Sequence, residues 1–197
     1  MESHSLVIQR IVSTIQKEFS KHPYCFLSSE MEAQVRVWQE LIKIYPEQIL
    51  FNIKGPSPPY ENMPSSRVKL EWTFPDPDKK KVDIVVFCFE RGDRQQRTYE
   101  DVELFVEIKV LWGEGSSRYL KWDAFKKDFE LAQNHVNAYA MVFIGDCYGS
   151  YGDKEQESYR KFLHELKYKK VLGGIFLIFR DTIFTIPNGA FDESALL

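Results

Sequence analysis

The sequence lacks the features that define several common protein classes. No apolar run among its 197 residues approaches the roughly 18 residues that a membrane-spanning helix needs, so we expect no membrane association. The N-terminal segment has no basic stretch followed by an apolar block, which argues against a signal peptide. The three cysteines are Cys25, Cys88 and Cys147. Because their number is odd and they lie far apart, we expect reduced thiols and a cytoplasmic location.

Motifs for zinc binding and for several enzyme classes are also missing. There is no CxxC pair, and the four histidines show no ligand spacing, so a structural zinc site is not expected. The sequence has no Gly-rich phosphate loop, no Ser/His/Asp arrangement and no cysteine nucleophile motif. The 26 Lys and Arg against 29 Asp and Glu give a net charge of −3. This balance argues against nonspecific coating of nucleic acid but permits a nucleic-acid enzyme with local basic contacts.

What the sequence does contain is typical of one globular domain. Hydrophobic residues make up 44% of the chain and charged residues 28%, which is ordinary for a folded protein with a sizeable core. We therefore predict a single domain over residues 1–197. Hydrophobic spacing predicts a helix over residues 5–20 and a second helix that begins at Ser28 or Ser29 and ends near Tyr45. The apolar stripe predicted for the second helix is Met31, Val35, Trp38, Ile42 and Tyr45.

The rest of the chain alternates between strand and helix patterns. The Pro- and Ser-rich stretch 55–66 is predicted to be a long loop. Three strands, at 67–74, 82–89 and 102–110, are separated by polar turns and predict an antiparallel meander. They are followed by a helix at 119–137, a strand at 139–145, a helix at 153–170, and strands at 175–180 and 182–186. This order predicts an α/β fold with a central mixed sheet flanked by helices.

Two acids and a lysine interrupt the apolar strands. Glu107 and Lys109 are two residues apart, so they share one face of the predicted strand, and Asp83 could lie beside Glu107 on the neighbouring strand. Nearby carboxylates in an apolar environment repel each other and are costly to bury. A divalent cation removes both costs, and Mg²⁺ suits a half-open site of carboxylates and water. Lys109 could orient a metal-bound water or stabilise charge on a phosphate.

This arrangement resembles the PD-(D/E)xK nuclease superfamily, which has the restriction-endonuclease-like fold. The family pattern is a helix bearing a Glu, a strand with an Asp, a strand with (D/E)-x-K, then a helix and another strand. The resemblance covers about residues 29–145, which would form the core of the domain. It implies metal-dependent hydrolysis of phosphodiester bonds, with Asp83, Glu107 and the Ile108 carbonyl binding Mg²⁺ or Mn²⁺ and Lys109 acting on the water.

The resemblance also implies an acid on the second helix. Glu32 is the first choice and Glu30 the reserve, because both flank Met31 and the sequence does not decide between them. Glu32 would bind or position a metal ion or a water.

We predict from these residues a metal-dependent nuclease that acts on DNA, with a homodimer or a partner subunit as a source of further binding surface. The alternative is that Asp83, Glu107 and Lys109 form a structural ion-pair network. The chain would then be a catalytically inactive nuclease-like fold that binds nucleic acid or protein, or acts as a scaffold. Glu103, on the same strand face as Glu107, either extends the site or is a paired or solvated residue.

Overall fold

The computed structural model describes residues 4–22, 29–53, 60–74, 81–89, 98–110, 139–166 and 173–186. The helices, in chain order, are α1 (His4–Lys21), α2 (Glu30–Ile44) and α3 (Asp153–Leu166). The strands are β1 (Gln48–Ile53), β2 (Tyr60–Ser66), β3 (Val68–Thr73), β4 (Lys81–Phe87), β5 (Val102–Val110), β6 (Tyr139–Ile144), β7 (Gly174–Ile178) and β8 (Ile183–Ile186). Short 3₁₀ turns lie at Tyr99–Asp101 and Tyr148–Ser150.

Six strands form one mixed sheet in the order β3-β4-β5-β6-β7-β8. Strands β3, β4 and β5 pair antiparallel, which confirms the predicted meander. Strands β5, β6 and β7 run parallel, and β8 returns antiparallel to β7. The α/β class with a central mixed sheet is therefore confirmed. The helix predicted at 119–137 lies outside the described residues.

Helices cover both faces of this sheet. On one face α1 and α2 pack against Leu104, Val106 and Ile108 of β5, while on the other α3 shares a core with Phe105. Strands that are covered on both faces need nearly continuous apolar sequences. This explains the apolar runs in the sequence from which β4 and β5 were predicted. None of the helices in the described ranges combines the length and the apolar character that a membrane span requires.

The prediction of a loop over residues 55–66 was wrong for its second half. Residues 60–66 form β2, which pairs antiparallel with β1 in a separate two-stranded sheet. Pro64 lies opposite Leu50 in this pair. Proline cannot donate a ladder hydrogen bond, but it is tolerated in an edge strand, and both strands of a two-stranded sheet are edges. Residues 55–59 lie outside the described part of the chain.

Helix α2 begins where it was predicted to begin, but its buried face is only partly the predicted one. Three residues of the predicted stripe, Trp38, Ile42 and Tyr45, do pack against the core. Ser29 is the N-cap, and its side chain accepts a hydrogen bond from the Glu32 amide at 3.1 Å. The residues of α2 that are buried are Ala33, Gln34, Val37 and Leu41. Met31, the first residue of the predicted stripe, is instead 42% exposed. The buried face includes the polar Gln34, so apolar spacing alone favoured a neighbouring face of the helix.

Candidate active site

The candidate site lies where β4 and β5 separate at one end of the sheet. Ile84 and Val106 are the last ladder pair at this end, so Asp83 and Glu107 are the next residues outward on the two strands. The Asp83 Oδ2 atom accepts a hydrogen bond of 2.7 Å from the Ile108 amide. The Asp83 carboxylate therefore bridges the two strands where their backbone pairing ends.

Glu107 and Lys109 form an ion pair on one face of β5. The Lys109 Nζ atom donates to Glu107 Oε1 at 2.5 Å. The Glu107 side chain is only 9% exposed, whereas the Lys109 side chain is 29% exposed. The pairing follows from the two-residue repeat of a strand, as the sequence predicted. A carboxylate this deeply buried is stable only with a charged or hydrogen-bonding partner.

The helical acid that reaches this cluster is Glu30, the first residue of α2. Its Oε1 atom lies 4.0 Å from Lys109 Nζ, and its Oε2 atom accepts a hydrogen bond from the Val110 amide at 3.5 Å. Glu30 is four residues before the buried Gln34 and so lies on the same face of the helix. We refer to Asp83, Glu107, Lys109 and Glu30 as the charged cluster.

Glu32, the first choice from the sequence, lies elsewhere. It is exposed and lines a surface pocket of about 280 Å³ on the outer side of α2, together with Met31, Val35, Arg36 and Gln39. Two residues along a helix correspond to a rotation of about 200°, which turns Glu32 away from the sheet. Among the described residues, no hydrogen bond or ion pair joins the Glu32 side chain to the charged cluster.

The electrostatics of the cluster keep Lys109 positively charged. Burial by itself would lower the pKa of Lys109. The charge of Glu107 and its hydrogen bond, with the charges of Asp83 and Glu30, outweigh burial and raise the pKa of Lys109 above its usual 10.5. Lys109 is therefore a cation at neutral pH and can stabilise an anionic oxygen, but it is not a base.

The donor chemistry of the cluster suits a hard divalent cation. Mg²⁺ binds one or two carboxylates and keeps several waters, and Asp83 and Glu107 are two carboxylates on neighbouring strands. Within the described ranges, however, no group of three or more His, Cys, Asp or Glu side chains is arranged to hold a metal ion. The fit to Mg²⁺ therefore depends on two carboxylates, backbone oxygen and water, not on a complete protein cage.

Glu103 belongs to a different set of contacts. Its carboxylate pairs with Arg67 and lies 3.2 Å from His4 Nε2. Burial tends to raise the pKa of Glu103, but the hydrogen bond from His4 and the charge of Arg67 lower it overall. Four residues of strand place Glu103 roughly 13 Å from Glu107 along β5. Of the two interpretations left open by the sequence, Glu103 is thus a paired residue and not an extension of the cluster.

Comparisons of the chain with protein-family models, with curated proteins and with solved structures found no match.

Proposed function

We propose that this chain is a metal-dependent nuclease that hydrolyses phosphodiester bonds in DNA. The observation that carries the proposal is the convergence of Asp83, Glu107 and Lys109 at the ends of two adjacent strands. Ionisable groups inside apolar strands cost free energy to bury, and they concentrate at sites where their charge is used. The two carboxylates, with a lysine that is charged at neutral pH, match what phosphodiester hydrolysis requires, namely metal binding and stabilisation of negative charge.

The order of elements supports a restriction-endonuclease-like core. Helix α2 contributes an acid, β4 contributes Asp83, β5 contributes Glu107 and Lys109, and β6 follows parallel to β5. These elements follow the order of the family pattern that the sequence resembles; the helix that this pattern has between the last two strands would fall in residues 111–138, outside the described part of the chain. We assign the role of the helical acid to Glu30, because Glu30 contacts Lys109 and the exposed Glu32 does not.

In this proposal Asp83 and Glu107 hold Mg²⁺ or Mn²⁺, and the Ile108 carbonyl is the further ligand implied by the resemblance. When bound, the metal supplies a Lewis acid and a water of lowered pKa. Lys109 donates through Nζ to an anionic oxygen of the phosphate or to the attacking water. Glu30 holds Lys109 from the helical side and keeps its ammonium group directed at the cluster.

DNA is the proposed partner, and a homodimer or a partner subunit would supply the binding surface that an acidic chain lacks. A cytoplasmic location is supported by Cys147, which forms no disulfide within the described part of the chain. Such thiols are typical of a reducing compartment.

The proposal is tested by cleavage. Purified protein is incubated with Mg²⁺ or Mn²⁺ and with single-stranded, duplex and branched DNA, and with RNA as a comparison. We expect cleavage of DNA that requires the metal and is lost in Asp83→Asn and Lys109→Ala, with both variants folded by circular dichroism. Full activity in either variant, or no cleavage of any DNA by the wild type, would overturn the proposal.

Glu30→Gln and Glu32→Gln form a matched pair for the helical acid. They make the same chemical change within one turn of α2, but only Glu30 contacts Lys109. Glu30→Gln should reduce cleavage by about tenfold or more, whereas Glu32→Gln should cleave like the wild type. The reverse result would move the helical acid back to Glu32.

One observation favours a second candidate function, a nuclease-like scaffold without catalysis. The described residues contain no three-residue metal group, and Lys109 already satisfies Glu107 as a structural ion pair would. Melting in Mn²⁺ separates the two functions. A metal that binds only the folded state raises the melting temperature by mass action, whereas an ion-pair network gives no increase.

A further inference from the structure

Glu71 lies directly opposite Asp83 in the sheet. Leu70 pairs with Ile84 and Trp72 pairs with Val82, so Glu71 and Asp83 face each other between these two pairs. Since Asp83 is also next to Glu107 on the other side, the three residues form one row across β3, β4 and β5. Glu71 was not among the site residues predicted from the sequence.

Both strands change face at this row. On β3, Leu70 packs on the core shared with α1 and α2, but Trp72 packs on the core of the opposite face. On β4, Ile84 lies in the first core and Val82 in the second. Residues two apart in a regular strand share a face, so the alternation is broken at Glu71 on one strand and at Asp83 on the other.

The backbone of Glu71 accounts for the break on β3. Its φ angle is +50°, and no other non-glycine residue in the described ranges has a positive φ. This left-handed conformation is unfavourable for a residue with a side chain and persists only where the surrounding structure imposes it. The Glu71 carboxylate pairs with Lys81 at 2.7 Å, but the Lys81 side chain is exposed and the Glu71 side chain is partly exposed, so this ion pair contributes little.

We infer that Glu71 is a positioning residue whose left-handed backbone turns Asp83 toward the Ile108 amide. In a regular pair of strands the Asp83 side chain would stand perpendicular to the sheet. With the alternation broken, the carboxylate reaches sideways to β5 and accepts the hydrogen bond from Ile108. The backbone conformation is the active feature, and the charge of Glu71 is dispensable. The consequence for cleavage rests on the proposed function, but the positioning of Asp83 does not.

The test is the hydrogen-exchange rate of the Ile108 amide, measured by NMR, because this amide donates a hydrogen bond directly to Asp83. Glu71→Val introduces a β-branched residue that does not adopt the left-handed conformation readily, whereas Glu71→Gly adopts it freely. Lys69→Val, two residues earlier on β3, is the matched control for replacing a long charged side chain by valine. Asp83→Ala defines exchange without the hydrogen bond.

We expect the Ile108 amide to exchange about tenfold faster or more in Glu71→Val, approaching Asp83→Ala, while Val142 amide protection on β6 is unchanged. Exchange in Glu71→Gly and Lys69→Val should match the wild type. If Glu71→Val does not fold, Glu71→Ala takes its place in the comparison with glycine. Wild-type exchange at Ile108 in the valine or alanine variant overturns the inference. So does fast exchange in Glu71→Gly, because it would assign the effect to the carboxylate.

Cleavage measured on the same variants separates this inference from the proposed function. If the wild type cleaves DNA, Glu71→Val should lose both cleavage activity and protection of the Ile108 amide. Glu71→Gly should retain both. A wild type that cleaves nothing overturns the nuclease proposal and leaves the exchange result as a test of positioning alone. Cleavage that is lost in Asp83→Asn but unaffected by Glu71→Val overturns the positioning role alone.

Discussion

Replacing Lys109 by methionine tests how the charged cluster is balanced. Methionine keeps most of the apolar stem of lysine but removes the charge that faces Glu107, Asp83 and Glu30. Removing one partner from a buried ion pair costs about 3–5 kcal/mol, because the other charge is left buried and uncompensated. Glu107 is buried, but the Lys109 side chain is 29% exposed, so water offsets part of the loss. We therefore expect Lys109→Met to lower the free energy of unfolding by about 2–3 kcal/mol.

The assay is urea unfolding of four proteins: the wild type, Lys109→Met, Glu107→Met and the double variant. An apolar pair of similar size is often as stable as a buried ion pair, so the double variant should lie within about 1 kcal/mol of the wild type. The difference from additivity would then give the coupling energy of the pair. A loss below about 1 kcal/mol in Lys109→Met, or a double variant no more stable than Lys109→Met, would refute the buried ion pair.

The pH dependence of the same comparison follows from the raised pKa of Lys109. A cation whose pKa is raised by folding contributes its full stabilisation below its usual pKa of 10.5 and loses it as the pH rises toward the folded value. The stability difference between wild type and Lys109→Met should therefore be constant from neutral pH to about pH 10 and shrink above 10.5. Unfolding in alkaline buffers checks this sign.

The remaining predictions concern stability away from the cluster. Glu103→Gln should cost about 1–3 kcal/mol at pH 7, because it removes the closer of the two carboxylates that pair with the buried Arg67 and leaves only Glu47, at 3.5 Å. Folding lowers the pKa of Glu103 from its usual 4.5, so the stability difference between the wild type and Glu103→Gln should be present above pH 4.5 and should shrink as the pH falls further. Urea unfolding at neutral and acid pH measures this difference. Ser29→Ala should lower the free energy of unfolding by about 1 kcal/mol through loss of the α2 cap, with Ser29→Asp as the conservative control. Gly174→Ala should lower the free energy of unfolding by about 1–3 kcal/mol, because Gly174 has a φ of +106° and the new Cβ would lie 2.8 Å from the Phe176 ring. A decrease in melting temperature no larger than that of Ser29→Ala would contradict this.

The part of the site on the strands could be predicted because its charges interrupt apolar runs. Strands β4 and β5 are covered on both faces, so their sequences are apolar except where a charge has a specific partner. The two-residue repeat then placed Glu107 and Lys109 together, and the meander brought Asp83 beside them. These inferences need only local geometry and the pairing of consecutive strands.

The rest of the site depends on contacts that hydrophobic spacing does not report. The sheet-facing side of α2 carries the buried Gln34 and the partly exposed Glu30, so the apolar pattern favoured the face that contains Met31 and gave no reason to prefer Glu30 over Glu32. The left-handed backbone of Glu71 could not be predicted either, because glutamate has no particular preference for that conformation. In both cases the tertiary packing of neighbouring strands and helices overrides the preference of the residue.

The pairing of β1 with β2 was missed for a similar reason. Proline and serine in 60–66 are typical of loops, and a two-stranded sheet forms only when a partner strand lies in register with it. Residues 48–53 provide that partner, but no local pattern linked the two segments.

Direct titration of Mn²⁺ into the purified protein tests the central claim, that the charged cluster is a metal site and not only an ion-pair network. We predict saturable binding to the wild type that is weakened at least about tenfold in Asp83→Asn and unchanged in Glu32→Gln, which removes an exposed carboxylate on α2. No binding to the wild type, or binding that Asp83→Asn leaves unaltered, would contradict the claim.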